Sequence, residues 1–250
     1  NALKAAKPGD VLQIAPGTYR DTAVVFDGTQ APNGRGGKRD QPLRLEAKEP
    51  GKVIFTGNSH LRIAGEWMEV SGLVFANGTM PEDTPIISFR HEDQDARHSR
   101  LTESVIYNYN PKDRLHDYDW IEIHGRFNRV DHNAIYQRTH KGVTLVVVPE
   151  PGGPADFTRI DHNYFGPRTE GTGNGWETIR VGTSHVSLQD SHAKINHNLF
   201  EECDGEIEII SNKTARNEYR GNAFVASKGQ LCLRHGEDCI AENNVFLGKG

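Results

Sequence analysis

Two glutamates on alternate positions of one predicted strand are the residues whose type and spacing most clearly suggest chemistry. They are Glu206 and Glu208 in the segment CDGEIEIISNK, which ends in Lys213. Alternate residues of a strand point to the same face, so the two carboxylates would lie about 7 Å apart. Two negative charges held at this distance repel each other unless a cation lies between them. The pattern therefore indicates a cation site beside an unpaired lysine.

Calcium is the cation that suits such a pair, because it binds hard oxygen ligands in a flexible geometry. Asn174, in the segment GTGNGWETIR, could add an amide oxygen from the preceding repeat. A second interpretation stays open on spacing alone. The two glutamates could pair with Arg180 and Arg234 in a solvated surface network, which is the commoner use of exposed charges.

The element that would carry these residues is indicated by a recurring phrase. Its five copies are RVDHNAIYQ, RIDHNYFGP, KINHNLFEE, EYRGNAFVA and IAENNVFLG. Their shared asparagines are separated by 30, 35, 24 and 22 residues and are Asn133, Asn163, Asn198, Asn222 and Asn244. Weaker copies surround Gly72 and Ser104. A period of this length, with short β-branched runs and no helical pattern, is typical of a parallel β-helix whose coils each contain three short strands.

We therefore predict an all-β fold, a single-stranded right-handed parallel β-helix. The asparagines would form a hydrogen-bonded ladder at one turn, where Asn itself tolerates left-handed backbone. The opening NALKAAKPGD predicts a short N-terminal capping helix over the core. We expect one domain over residues 1–250, and the lack of a capping pattern after FLGKG suggests the N-terminal part of a longer catalytic solenoid.

Strand alternation assigns the charged residues to one face of this solenoid. In WETIRVG, GEIEII and LCLRHG the residues expected to point into the core are Ile179, Val181, Ile207, Ile209, Leu231 and Leu233. The opposite parity would place Arg180, Glu206, Glu208 and Arg234 together on an exposed face of coils about 4.8 Å apart. Lys213 would follow across a turn.

Composition and charge argue against two classes of partner. A formal net charge of −5 disfavours general nucleic-acid binding, which needs clustered Lys and Arg. The longest apolar run, around Val143 to Val147, is far shorter than the ~20 residues that cross a bilayer, so no membrane partner is expected. Cys203, Cys232 and Cys239 show no zinc spacing; a bridge between the last two and three free thiols both stay open.

Several histidines have types that could bind metal, but their positions favour another role. His132, His162 and His197 directly precede ladder asparagines, so a stacked column at the solvent edge is expected rather than a zinc site. Glu122 and His124, in WIEIHG, share the exposed face of the predicted active strands. They could line a groove or belong to ordinary solvated surface.

The segments NGWETIR, CDGEIEIISNK and LRHG together resemble polysaccharide lyase family 6, which includes alginate lyases and chondroitinase B. The similarity is concentrated in residues 174–248 and extends loosely to the PGD and APGTY segments near the N-terminus. The resemblance implies a β-helical enzyme that cleaves a uronic-acid polymer by β-elimination and leaves unsaturated uronate ends. It also implies a secreted or periplasmic protein, and one that usually runs well beyond 250 residues.

The resemblance also implies roles for individual residues. The calcium ligands would be Asn174, Glu206 and Glu208. Lys213 would be the Brønsted base and Arg234 the catalytic arginine. A second set, Arg180 and His235, would bind the uronate substrate.

The chemistry explains why such residues are needed. The base removes the C5 proton α to the uronate carboxylate, and the 4-O-linked sugar leaves. Ca²⁺ would neutralise that carboxylate, and Ca²⁺ with Arg234 would lower the pKa of Lys213 toward the neutral form that a base needs. Alginate is the expected polymer and dermatan sulfate the alternative. A non-catalytic β-helix carbohydrate-binding module is the rival, but such a module needs neither Lys213 nor Arg234.

Overall fold

Successive coils of the chain contribute short strands to three parallel sheets. The structure, a computed structural model, describes residues 2–248. The first sheet contains β1 (Val11–Ile14), β4 (Leu43–Ala47), β7 (Met68–Ser71), β12 (Arg100–Thr102), β15 (Arg129–Asp131), β18 (Arg159–Asp161), β21 (Lys194–Asn196), β24 (Glu218–Arg220) and β27 (Ile240–Glu242). The second contains β2 (Gly17–Arg20), β5 (Val53–Gly57), β8 (Val74–Gly78), β13 (Val105–Tyr107), β16 (Ala134–Tyr136), β19 (Tyr164–Phe165), β22 (Leu199–Glu201), β25 (Ala223–Val225) and β28 (Val245–Leu247).

The third sheet is the one that carries the predicted active residues. It contains β3 (Ala23–Asp27), β6 (His60–Glu66), β9 (Ile87–Ser88), β14 (Ile121–Ile123), β17 (Leu145–Val147), β20 (Ile179–Val181), β23 (Glu208–Asn212) and β26 (Gln230–Leu233). A small antiparallel hairpin, β10 (Arg90–His91) and β11 (Gln94–Arg97), attaches to β6. The predicted all-β parallel β-helix is confirmed.

Most strands in the middle of the first and second sheets have three residues, of which the central one is buried. In the first sheet the register aligns these central residues from coil to coil, as in Val130, Ile160 and Ile195, all fully buried. In the second sheet Phe200 stacks between Phe165 and Phe224, with ring centroids 5.0 and 4.7 Å away. A core built of such columns fixes the register, because a slip by one residue would turn every apolar side chain outward.

The asparagine ladder joins the turns that follow the first sheet. The backbone N–H of Asn133 donates to Oδ1 of Asn163, and that of Asn163 donates to Oδ1 of Asn198, both at 3.0 Å. Asn222 and Asn244 continue the same pattern at 3.0 Å. These side chains therefore satisfy buried donors that no strand partner reaches.

The backbone of this turn differs from the prediction in one respect. The left-handed residue is the one before each asparagine, with φ of 55° at His132, 57° at His162 and 56° at His197. Asn itself is not the left-handed residue, so that prediction was wrong. The left-handed residue reverses the chain, which leaves the next side chain directed into the molecule. The three imidazoles stack at 5.1 and 5.2 Å, as expected for a column.

At the N-terminus, the predicted capping helix is only a 3₁₀ turn, Ala2–Ala5, with Leu3 packed on the core. Pro8 and Gly9 follow within four residues, and a proline disfavours helical backbone in the residue before it. Further 3₁₀ turns are Gly28–Gln30 and Ser184–Val186. Within residues 2–248 no helix has the length and apolar character needed to span a membrane.

All three cysteines are free thiols. Cys203 is buried, whereas Cys232 and Cys239 are partly exposed. Of the two alternatives that the sequence leaves open, the structure therefore shows the unbridged one.

Candidate active site

A bulge in β23 sets the orientation of the acidic strand. Glu208 pairs with Gln230 of β26, and the register then shifts before Ile210, which pairs with Leu231. Ile209 and Ile210 are consecutive and both are buried, which regular alternation does not allow. The extra residue changes the face to which the side chains at the start of the strand point.

Because of this bulge, part of the predicted parity is wrong. Ile207 was expected in the core and is 67% exposed. Leu233 was also expected there and is 49% exposed, but it aligns with Asn212 and Val181, which are both fully buried, so it keeps the inward register. Arg180 was expected on the same face as the glutamates, and in the register it pairs with Ser211, three residues after Glu208. The alternation rule fails here because one inserted residue flips the face of everything on one side of it.

Three carboxylates converge at the start of β20 and β23. One oxygen each of Glu177, Glu206 and Glu208 lies within 4.8 Å of the others. Glu177 is 4% exposed, and one oxygen of Glu177 and one of Glu208 are buried without a hydrogen-bond donor. Buried acceptors normally have hydrogen-bond partners, so these two oxygens without partners are available to bind a cation. Hard oxygen donors in this arrangement fit a divalent cation such as Ca²⁺.

The charges of the cluster also favour a bound cation. Burial and then the charge of Glu177 raise the pKa of Glu206 to about 7. The backbone N–H of Trp176 donates to Glu206 at 3.3 Å and opposes that shift. A bound cation would remove the repulsion that disfavours the ionised form.

Asn174 lies in the loop before β20, where it borders the same cavity as Glu206 and Glu208. This cavity has a volume of about 440 Å³, and Glu170 and Lys228 also line it. The predicted set of Asn174 and the two glutamates is therefore brought together at one cavity.

Lys213 directly follows β23 and is 9% exposed. Its backbone N–H donates to Val181, but within the described residues its amino group has no hydrogen-bond or ion-pair partner. Burial lowers its pKa, and the charges of Arg180 and Arg234 act in the same direction. Glu177 acts in the opposite direction and is the second-largest influence. The net shift favours the neutral amine that a base needs.

The residues after β26 close the other side of the cluster. The guanidinium of Arg234 lies 3.3 Å from Glu208. The backbone N–H groups of Arg234 and His235 both donate to the carbonyl oxygen of Asn212 at 3.1 Å. The side chain of His235 is exposed and makes no hydrogen bond within the part of the chain that the structure describes.

Arg180 approaches the cluster from β20. It lies 3.9 Å from Glu177 and 3.9 Å from Asp119, and its buried Nε has no partner. Arg180 lines a cleft of about 270 Å³ together with Glu122. Glu122 lies two coils before Arg180, and the register aligns the two outward-pointing side chains in one column. Nε2 of His124 lies 3.0 Å from Glu122. Of the two interpretations of Glu122, groove lining is the one that this position favours.

Glu177 is the member of the cluster that the sequence reasoning missed. In WETIRVG it has the parity of Ile179 and Val181, which point inward. An acidic residue at a core position needs a partner, because burying an isolated charge is costly. An acidic residue at an inward-pointing position was therefore the sequence signal from which Glu177 could have been identified.

The family model of chondroitinase B matches residues 1–250. The chain belongs to the chondroitinase B family. This family member is 46% identical to the polysaccharide lyase family 6 alginate lyase AlyGC, with a TM-score of 0.92. The match covers 99% of this chain and 33% of AlyGC.

A second similar structure is a mannuronic acid specific family 6 lyase from human gut microbiota, 32% identical with a TM-score of 0.91. That match covers 98% of this chain and 55% of the gut lyase. The lyase Pedsa3628 from Pseudopedobacter saltans, 24% identical with a TM-score of 0.86, shares the fold. A comparison of the sequence with curated proteins found no match. The chain thus spans about a third to a half of the length of these relatives, and the predicted family 6 membership is confirmed.

Proposed function

We propose that this chain carries the catalytic centre of a calcium-dependent polysaccharide lyase that cleaves a uronic-acid polymer by β-elimination. The observation that carries the proposal is the position of Lys213, a buried and unpaired amine beside a cluster of three carboxylates and two arginines. A cation and a neutral base held side by side are what abstraction of a proton next to a carboxylate requires.

Lys213 acts as the base in this proposal. Burial lowers its pKa, so a larger fraction of the amine is neutral at a given pH. Its free electron pair takes the C5 proton, and the electrons left at C5 form the double bond to C4 as the 4-O-linked sugar leaves. A proton must then reach the leaving oxygen.

The cation ligands in this proposal are Asn174, Glu206 and Glu208, with Glu177 as the third carboxylate of the cluster. When bound, Ca²⁺ supplies positive charge to the substrate carboxylate and so stabilises the charge that develops on proton removal. The buried orphan oxygens of Glu177 and Glu208 support a cation at this position.

The arginines and His235 bind and orient the anionic substrate. The guanidinium of Arg234 can stabilise the developing negative charge from the side of Glu208. Arg180 has a buried Nε without a hydrogen-bond partner, and it lines the same cleft as Glu122. His235 is exposed directly after Arg234, where a sugar hydroxyl or carboxylate can reach it.

Alginate is the polymer that we propose, because the lyase 46% identical to this chain is described as an alginate lyase. Dermatan sulfate is the alternative, in line with the name of the family. We also propose a secreted or periplasmic location, where such a polymer is accessible.

The proposal is tested by incubating the protein with alginate or dermatan sulfate and following ultraviolet absorbance from the new C=C bond. We expect absorbance to rise with alginate, to stop on addition of a chelator and to return with added Ca²⁺. Binding of the polymer without any rise would contradict the lyase proposal and favour a carbohydrate-binding module. A rise with dermatan sulfate alone would reassign the substrate.

A further inference from the structure

Two arginines are buried on successive coils, just after strands β16 and β19 of the second sheet. Arg138 and Arg168 are 1% and 4% exposed, and a parallel bridge aligns them. Buried guanidinium groups usually pair with carboxylates, because burying a charge is costly. Here both guanidinium groups donate to carbonyl and hydroxyl oxygens instead. The burial of these two charges therefore needs an explanation other than an ion pair.

The contacts of Arg168 lead directly to the carboxylate cluster. Its Nη1 donates to the carbonyl oxygen of Glu177 at 3.1 Å and to Oγ1 of Thr144 at 2.6 Å. Its Nη2 donates to the carbonyl oxygen of Gly142 at 2.6 Å. One rigid side chain therefore ties the backbone of a cluster residue to the neighbouring coil.

The other side of Arg168 meets the segment that carries Glu206. A Cβ at Gly205 would lie 2.3 Å from Nε of Arg168 and 2.2 Å from the carbonyl oxygen of Trp176. The guanidinium also faces the ring of Trp176 at 5.8 Å. Arg168 thus packs against both segments from which Glu177 and Glu206 project.

We propose that Arg168 is a positioning residue that fixes the carboxylate cluster from inside the core. This inference rests on the proposed function, because it takes the cluster to be the cation site. The loop over residues 169–175 has little regular structure and contains three glycines, so its ligands need an external support. The planar fork of arginine can hold several acceptors in one geometry, whereas the single ammonium of lysine cannot.

Arg138 provides a matched control. It is equally buried and donates to carbonyl oxygens of Tyr118, Lys141 and Val143, one coil away from the cluster. Replacing either arginine with lysine keeps the charge and removes the fork. A purely structural role would therefore affect both variants alike.

The test measures Ca²⁺ binding by calorimetry and amide hydrogen exchange in residues 169–177 of the Ca²⁺-free protein. We expect Arg168→Lys to weaken Ca²⁺ binding by about tenfold or more, the usual effect of losing an outer support of a metal site. We also expect faster exchange in that loop. Arg138→Lys should change neither readout, even if it lowers the melting temperature as much. Equal Ca²⁺ affinity and equal loop exchange in the two variants would overturn the inference.

Two further results separate this inference from the proposed function. If the wild-type protein binds no Ca²⁺, the proposed cation site fails, while loop exchange still decides whether Arg168 positions the segment. If Arg168→Lys does not fold, Thr144→Val removes one of its acceptors and leaves the arginine in place. An unchanged loop and an unchanged Ca²⁺ affinity in folded Thr144→Val would then overturn the inference.

Discussion

Glu177 and Glu206 lie on successive coils, and a carboxylate oxygen of each lies within 4.8 Å of the other. The negative charge of Glu177 helps to raise the pKa of Glu206 to about 7. The guanidinium of Arg180, 3.9 Å from Glu177, is beyond hydrogen-bond distance. The pair is therefore under electrostatic repulsion that a bound cation would relieve.

We predict from this relationship that Glu177→Gln weakens Ca²⁺ binding by at least about tenfold, because it removes one of three clustered negative charges. Titration calorimetry measures the effect. Glu69→Gln, on the first sheet and away from the cluster, is the control and should bind Ca²⁺ like the wild type. Wild-type affinity in Glu177→Gln would exclude that carboxylate from the site.

Lys213 carries the second prediction. Lys213→Met keeps most of the side-chain volume but has no base, so kcat on alginate should fall by about 10²-fold to 10⁴-fold. Lys213→Arg should be similarly inactive, because arginine stays protonated. Ca²⁺ affinity should not fall in Lys213→Met. Near-normal turnover in either variant would show that another group removes the C5 proton.

Much of the fold could be predicted from the sequence because its repeat has a physical cause. From Asn133 onward, the Asn side chain of each coil accepts from the turn of the preceding coil, so the residue recurs wherever that turn recurs. The capping helix could not be predicted correctly from residue types alone, because Pro8 and Gly9 decide whether the helical turn continues.

The candidate site shows where alternation stops being informative. The glutamate pair and Lys213 were visible as an unusual charge pattern on an apolar strand. The bulge was not visible, because Ile207, Ile209 and Ile210 are all apolar and any two could face the core. Glu177 was missed because it has the inward parity of its strand, although it faces a cluster of charges and not the apolar core.

The third prediction concerns the ladder. Oδ1 of Asn163 accepts from the backbone N–H and from Nδ2 of Asn133, both at 3.0 Å. Asn163→Ala leaves the buried backbone N–H of Asn133 without its acceptor and should lower the free energy of unfolding by about 3 kcal/mol. Urea denaturation measures this loss. Asn58→Ala, at an exposed asparagine outside the ladder, should change stability by less than about 0.5 kcal/mol. Equal losses of unfolding free energy in the two variants would contradict a stabilising role of the ladder.

The fourth prediction concerns pH and a histidine outside the candidate site. Nε2 of His140 lies 3.0 Å from the indole N–H of Trp120, which can only donate, so Nε2 must be an acceptor and the ring neutral. Burial, followed by the charges of Arg138 and Arg168, lowers the pKa of His140 far below its ordinary value of 6.5. The native state therefore does not take up the proton that the unfolded chain binds.

Because the folded pKa is the lower one, this contribution to stability is present above pH 6.5 and is lost as the pH falls. His140 alone should reduce the free energy of unfolding by about 1.4 kcal/mol for each pH unit below that value. We expect His140→Gln to have a shallower decline between neutral and mildly acidic pH, measured by urea denaturation at several pH values. His197→Gln, in the exposed column, should keep the wild-type slope at acidic pH. If His140→Gln declines as steeply as the wild type, the acid sensitivity arises elsewhere in the molecule.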